Sequence, residues 1–151
     1  MIALDDEIAE TETLIAERFR RHRYAEILTS IPGFGPTVGA EFLTATGGEM
    51  TVFGSVDRLA GVAGLAPVPK DSGRISGNQR RPRTYSRKLL RACYLAAHIA
   101  SRSDAVSRTY QRKLRESKTH TQAAIALARH RLDIQGATLR DLKRYTPTVR
   151  N

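Results

Sequence analysis

Two serine–glycine pairs, Ser72-Gly73 and Ser76-Gly77, stand in the most basic stretch of this chain. A serine hydroxyl can attack a phosphodiester when it is exposed on a mobile backbone and guanidinium groups stabilise the charge that develops. The glycines supply the mobility and the neighbouring arginines supply the charge. Serine–glycine pairs also form ordinary turns, and neither serine lies in a Gly-x-Ser-x-Gly elbow. Both Ser72 and Ser76 are therefore candidate nucleophiles.

The stretch from Pro67 to Arg91 contains eight basic residues and a single acid, Asp71. Glycines and prolines remove all periodicity from residues 66–85, which predicts an extended loop or a loose β-ribbon. A solvated, disordered loop would fit this composition. A loop that orders on DNA or RNA, with arginine forks on phosphates, would also explain the charge. The candidate DNA contacts here are Lys70, Arg74, Arg80, Arg81, Arg83, Arg87, Lys88 and Arg91.

A second candidate phosphate site is the turn Ile31-Pro-Gly-Phe-Gly-Pro36, which predicts a helix-hairpin-helix over residues 27–47. Gly33 and Gly35 lack Cβ atoms and so permit close approach of a phosphate. Thr37 is predicted to cap the second helix, whose first amides carry partial positive charge. The alternative is a tight turn that only packs the two helices together.

The charge of the whole chain points to a polyanionic partner. The formal net charge is +10 and the pI about 10.5. Residues 1–26 hold seven acids and four bases, which leaves 21 bases and 8 acids for the remainder. Nucleic acid and an acidic membrane surface are both polyanionic, and a basic surface without a partner is the plainer alternative. No apolar stretch has the length of a membrane span and no secretory signal is visible, so we expect a cytoplasmic protein without a membrane partner.

The residue types that hold metals or form disulfides are sparse. Cys93 is the only cysteine, and it lies in an apolar run that predicts a buried, inert thiol. The four histidines show no metal or triad spacing. We therefore predict no metal site and no cofactor in this chain.

The elements that must position these residues are helical, so the predicted fold is all-α. An amphipathic, coiled-coil-like helix from Ala3 to about Arg23 is predicted first. It would be either a coiled-coil arm or a helix docked on its own domain. The predicted organisation is an N-terminal helix (1–26), a main domain (27–145) and a tail (146–151). The main domain contains the hairpin (27–47), the basic Ser-Gly loop (66–85) and further helices (86–145).

Six segments in fixed order resemble one known family. They are LTSIPGFGP at 28–36, LAGVAGLAP at 59–67, DSGRISG at 71–77, RKLLRA at 87–92, YQRK at 110–113 and QAAIALAR at 122–129. The set is similar to the C-terminal domain of insertion-sequence transposases that combine a RuvC-like acidic domain with a serine-bearing domain. Some members of that family are recombinases guided by a bridge RNA.

The resemblance implies a division of labour. The RuvC-like domain would hold divalent metal, such as Mg, on four acidic residues, and a coiled coil would follow it. The C-terminal domain would supply a serine that joins covalently to a DNA strand end. Ser72 stands at that position, and Ser76 is the fallback. Only some thirty residues precede the hairpin here, so we expect a truncated form, incomplete as an enzyme without a metal-bearing domain.

Three functions remain open from the sequence. The first is DNA transposition or recombination beside a full-length transposase, with a homo-oligomer through the N-terminal helix and a guide RNA as further expected partners. The second is a non-catalytic, regulatory nucleic-acid-binding module. The third is an RNA-binding protein of ribosomal type that uses the same hairpin.

Overall fold

The structure is a computed structural model that describes residues 2–69, 73, 79–102, 104–116 and 119–146. It is mostly helical, as predicted, and its paired strands are only two residues long. The elements are α1 (Ile2–Arg20), α2 (Ala25–Ser30), α3 (Pro36–Thr46), a 3₁₀ turn (Thr51–Phe53), α4 (Val56–Val62), β1 (Val68–Pro69), β2 (Gln79–Arg80), α5 (Arg87–Ala100), α6 (Asp104–Arg115) and α7 (His120–Asp141).

Side-chain caps explain where three helices begin. The Ser55 and Ser86 hydroxyls accept hydrogen bonds from the third amide of α4 and α5, each at 3.2 Å. Thr119 and Gln122 form a reciprocal capping box at the start of α7.

The predicted pair of helices around residues 31–35 is present, but the predicted cap is wrong. α2 ends at Ser30 because Pro32 and Gly33 cannot continue it. Gly35, not Thr37, is the N-cap of α3, because Pro36 occupies the first helical position, where its missing N–H costs nothing. Gly47, with φ +71°, ends α3 in the left-handed conformation.

The core is built around α5, which packs against α3 and against α7. Leu28, Phe42, Leu89, Leu127 and Leu132 are all fully buried there. The buried positions of α5 are mainly alanines, so neighbouring backbone can approach the helix closely. Cys93 belongs to this face and is buried, as predicted.

Helix α7 also reaches the turn between α2 and α3. Arg131 is 3% exposed, and its Nη2 donates a hydrogen bond to the carbonyl oxygen of Pro32. The carbonyls of a tight turn have no helical partner, so this contact both satisfies one of them and ties the turn to α7. The turn is thus held from the α7 side.

Among the described residues, helix α1 packs on α2 and α3. Phe19 is buried against Gly39 of α3, where a Cβ would lie 2.6 Å from the Phe19 ring. Further back, Leu4, Ile8 and Leu14 are 60%, 49% and 53% exposed. The first turns of α1 therefore project from the domain with an uncovered apolar stripe. In the part of the chain that the structure describes, no helix has the length and apolar character needed to cross a bilayer.

Candidate nucleic-acid interface

The basic loop begins and ends as a β-ribbon. Val68 pairs with Arg80 and Pro69 with Gln79 in an antiparallel ladder, which we call the ribbon base. A loose ribbon was one of the two predictions for residues 66–85, and the structure confirms it at this base. Four of the predicted site residues lie outside the described residues: Lys70, Ser72, Arg74 and Ser76. In the sequence, all four lie between the two paired strands.

Five of the predicted contacts follow one another from the ribbon base into α5. Arg80, Arg81, Arg83, Arg87 and Lys88 are all exposed. None of them forms an ion pair with another described residue. We call these five residues the basic surface, and their charge is available to an external anion.

The connection between the ribbon base and α5 is fixed by contacts with α4. The amide of Ser86 donates to the carbonyl of Val62 at 2.7 Å. The Tyr85 ring lies against Gly64, where a Cβ would come within 2.9 Å of it. The Arg81 guanidinium lies 5.4 Å from the centre of the same ring. This packing gives the basic surface a defined position on the domain.

Arg91, another predicted DNA contact, is exposed but already paired. Its Nη1 lies 2.7 Å from Oε1 of Glu41 on α3. The pair links α5 to α3 at the surface, where ion pairs contribute little to stability. A phosphate would have to compete with the Glu41 carboxylate for this guanidinium.

The hairpin places its two predicted glycines in different surroundings. Gly33 has φ +93°, and a Cβ there would lie 2.0 Å from the carbonyl oxygen of Ala96 on α5. The missing side chain therefore serves packing of the turn on α5. Gly35 and Thr37 are exposed, and a Cβ on Gly35 would meet nothing within 4 Å. These two remain candidates for phosphate contact.

The structure does not bring the hairpin and the basic surface together. Gly33 contacts α5 at Ala96, whereas Glu41, further along α3, contacts Arg91. Helix α3 therefore runs antiparallel to α5. Ala96 lies nine residues after Arg87, or about 14 Å along the helix at 1.5 Å per residue. A strand that contacts both sites must extend along α5.

Sequence reasoning did not single out a groove beside the ribbon base, formed with α6 and α7. It has a volume of about 580 Å³ and is lined by Arg80, Arg81, Lys113 and Arg129 together with apolar side chains. Arg129 is held by Asp57 at 2.8 Å and by Asp133 at 3.2 Å. Lys113 and Arg129 are distant from the basic loop in the sequence, so only the packing of α6 on α7 reveals their proximity to the loop.

Helix α6 adds cations that the sequence could have indicated. Arg108, Arg112 and Arg115 are exposed and follow four- and three-residue steps. That spacing places them on one face of a helix. A helical periodicity of basic residues in the sequence is the signal that could have found this stripe.

Comparison with known proteins relates most of the chain to transposable elements. The family described as the IS116/IS110/IS902 transposases matches residues 25–112. The chain is 64% identical over 150 residues to the insertion element IS900 uncharacterized 42 kDa protein of Mycobacterium paratuberculosis. The aligned region covers 99% of this chain and 38% of that protein.

Two further relatives are more distant. One is the insertion element IS116 uncharacterized 44.8 kDa protein of Streptomyces clavuligerus, 45% identical over 97% of this chain and 37% of that protein. The other is the pilin gene-inverting protein of Moraxella bovis, 35% identical over 85% of this chain and 40% of that protein. The chain thus spans at most about two fifths of the length of these curated relatives.

Proposed function

The chain belongs to the IS116/IS110/IS902 transposase family, and we propose that it is the DNA-binding C-terminal part of such a transposase. It acts in DNA transposition or recombination by holding nucleic acid against the basic surface. Because the chain covers only part of its relatives, the complete reaction would also require the metal-bearing domain that the resemblance implies.

The exposed run of cations beside the ribbon base carries this proposal. Arg80, Arg81, Arg83, Arg87 and Lys88 are all exposed without an ion-pair partner among the described residues. Five like charges close together repel one another and mildly oppose folding. A phosphate backbone neutralises such charges and releases its counterions, which is the dominant source of affinity for DNA.

The binding test is a salt titration on a fluorescent 30-base-pair duplex. If about six phosphates are neutralised, affinity falls by about a thousandfold between 50 and 200 mM salt. An RNA hairpin of equal length, measured in parallel, tests the expected guide-RNA partner and the ribosomal-type alternative. Absence of binding to DNA and RNA even at 20 mM salt would overturn the proposal.

For the chemical step, we propose Ser72 as the nucleophile, with Ser76 as the fallback, on the basis of the family resemblance. The serine Oγ would bond to phosphorus while the bond from phosphorus to a sugar oxygen breaks. The serine proton would go to that departing oxygen, leaving one strand end as a free hydroxyl and the other on the protein. The arginines of the basic surface would stabilise the charge on the phosphoryl oxygens.

A divalent metal of the Mg type would supply Lewis-acid chemistry, but the described residues do not hold a site for it. No three His, Cys, Asp or Glu side chains among them lie close enough to share an ion. We therefore assign the metal to the RuvC-like domain that the resemblance implies.

The nucleophile test uses this chain together with a full-length transposase of the same family and its DNA. Denaturation followed by intact mass measurement should show DNA attached to this chain. Ser72→Ala should abolish the adduct and Ser76→Ala, the matched control, should retain it. The reverse result would move the role to Ser76. DNA binding without an adduct in any sample would favour the non-catalytic module.

Self-association through α1 is a separate proposal. The exposed stripe of Leu4, Ile8 and Leu14 is apolar surface that a second helix would cover. Leu4→Glu with Ile8→Glu should shift a dimer to a monomer in analytical ultracentrifugation. A monomeric wild-type chain at 100 µM would contradict this arm of the proposal.

A further inference from the structure

The groove beside the ribbon base is lined mainly by cationic and apolar side chains. Four are cationic, Leu65, Pro67, Ile125 and Ala126 are apolar, and Gln122 adds one neutral amide. The apolar residues come from the segment before β1 and from α7, whereas Arg80 and Arg81 come from the end of the ribbon. The groove therefore opens directly beside the basic surface, with which it shares both arginines.

The ion pairs around the groove leave part of its charge unused. Lys113 lies 2.9 Å from the Glu116 carboxylate, and Arg129 is held by two aspartates. By contrast, Arg80 and Arg81 form no ion pair with any described residue. A negative group is thus accepted most readily on the ribbon side of the groove.

Arg129 shows a further unmet requirement on the α7 side. Its Nη1 is buried and has no hydrogen-bond acceptor among the described residues. A buried guanidinium donor without an acceptor destabilises the fold.

A phosphate alone would use the cations but would leave the apolar lining in water. A nucleotide matches both parts of the lining. Its anionic phosphate suits the cationic side chains, and the flat, weakly hydrated face of its base suits the apolar ones. The volume of about 580 Å³ lies within the range of small-molecule sites. In a duplex the faces of the bases are covered by stacking, so only an unpaired or extruded nucleotide can offer a base to the groove.

Resting on the proposed function, we propose that the groove takes one unpaired nucleotide of the strand that lies on the basic surface. The phosphate lies at Arg80 and Arg81, and the base lies against Ile125 and Ala126. The groove would thereby favour distorted or melted nucleic acid over intact duplex, which the basic surface alone does not do.

The test compares a perfect 30-base-pair duplex with the same duplex carrying one unpaired thymidine. Contact with about 60 Å² of base at about 25 cal/mol per Å² corresponds to about tenfold in affinity, so the bulged probe should bind about tenfold more tightly. Ala126→Phe places a ring where the base is proposed to lie, without changing charge. It should abolish that preference while leaving affinity for perfect duplex within about twofold.

The matched control is Thr121→Phe, which adds the same ring at an exposed position of α7. Position 121 lies five residues before 126 and so faces a different direction on the helix. It does not line the groove. This variant should keep the tenfold preference. Circular dichroism of both variants should show unchanged helix content.

A second measurement does not depend on a variant. With 2-aminopurine at the unpaired position, the wild-type chain should protect the base from acrylamide quenching, and it should give no added protection to 2-aminopurine inside the perfect duplex. The same pair of probes made as RNA shows whether the groove accepts either strand type.

The outcomes separate the two proposals. Tight, salt-dependent binding with no preference for the bulge and no protection of its base overturns the groove and leaves the basic surface intact. Preference retained in Ala126→Phe also overturns it. Failure to bind any probe overturns the proposed function itself.

Discussion

The hairpin turn (31–35) and the basic loop (66–85), which starts and ends at the ribbon base, are both glycine- and proline-rich connections that the sequence predicted to meet phosphate. The described parts of the two connections are built in opposite ways. The turn is directed inward, since Ile31 and Phe34 are buried and Gly33 lies on the backbone of α5. The ribbon base carries outward charge at Arg80, which forms no ion pair with a described residue. One connection completes the core and the other presents cations.

The difference shows which signal in a sequence is informative about ligands. A glycine has no Cβ, so any group can approach it closely. The space can be occupied by the carbonyl of a neighbouring helix as well as by a phosphate. A run of arginines has fewer structural uses, because unpaired charge is excluded from cores. Charge without an internal partner therefore identifies an interface better than glycine spacing does.

The largest effect is expected at Gly33. Gly33→Ala would place a methyl group 2.0 Å from the carbonyl oxygen of Ala96, at a φ of +93°. Overpacking against backbone and the strained φ together should lower the free energy of unfolding by about 3 to 5 kcal/mol. Urea denaturation followed by circular dichroism measures this change.

Gly35→Ala is the matched control for that variant. Gly35 has open space around it and an ordinary φ of −78°. Alanine is a poorer N-cap than glycine, so a loss of no more than about 1 kcal/mol is expected. A loss at Gly33→Ala as small as that expected at Gly35→Ala would show that Gly33 is not required for packing and would remove the contrast between the two connections.

The free energy of unfolding should also depend on pH through Cys93, which lies on the buried face of α5. Burial raises the pKa of the Cys93 thiol to about 12 from an ordinary 9.0. The unfolded chain therefore loses this proton first, so the stabilisation is complete below pH 9 and is lost as pH rises toward 12. Between pH 9.0 and 10.5 the loss should amount to about 2 kcal/mol.

Cys93→Ala isolates that contribution from other groups that titrate in alkali. Its free energy of unfolding, measured in urea at the same pH values, should fall less steeply than that of wild type. Parallel pH profiles for the two proteins would show that the thiol is not buried in the native core. Native Cys93 should likewise resist alkylation at pH 8.

Much of the fold was predictable because the signals are local. Helix ends at Ser30, Ser55 and Gly47 follow from caps and helix breakers. The buried thiol followed from the apolar run around Cys93. The cap of α3 was missed, because Thr37 has the favoured side chain but Pro36 already has the φ of a first helical residue.

The site was less predictable, because it depends on contacts between distant segments. The groove needs Lys113 and Arg129 beside the ribbon base, and neither is marked by its neighbours in the sequence. The separation of the hairpin from the basic surface follows from the antiparallel packing of α3 on α5. No local pattern encodes that packing direction. The roles predicted for Ser72 and Ser76 remain predictions.

A smaller effect, on binding, sharpens the comparison. Arg80→Gln with Arg81→Gln removes two exposed cations and should reduce the slope of log affinity against log salt by about two units, with about a tenfold loss of affinity at 100 mM salt. Thr37→Glu is the counterpart at the hairpin, where a carboxylate suits the helix N-terminus but repels phosphate. It should change affinity by less than about threefold. A larger loss from Thr37→Glu would make the hairpin the principal phosphate contact.

The smallest effect concerns Arg91, which lies between the two connections and is paired with Glu41 at 2.7 Å. Because Glu41 competes with phosphate, Arg91→Gln should weaken duplex binding by less than Arg87→Gln does. Arg87→Gln is the matched control, since Arg87 has no ion-pair partner among the described residues. Glu41→Gln should instead tighten binding by about twofold, while the free energy of unfolding changes by less than about 1 kcal/mol.

If Arg91→Gln costs as much affinity as Arg87→Gln, the ion pair opens when DNA binds, and the basic surface extends along α5 toward the hairpin. The measured ratio of the two losses therefore fixes how far the interface reaches from the ribbon base.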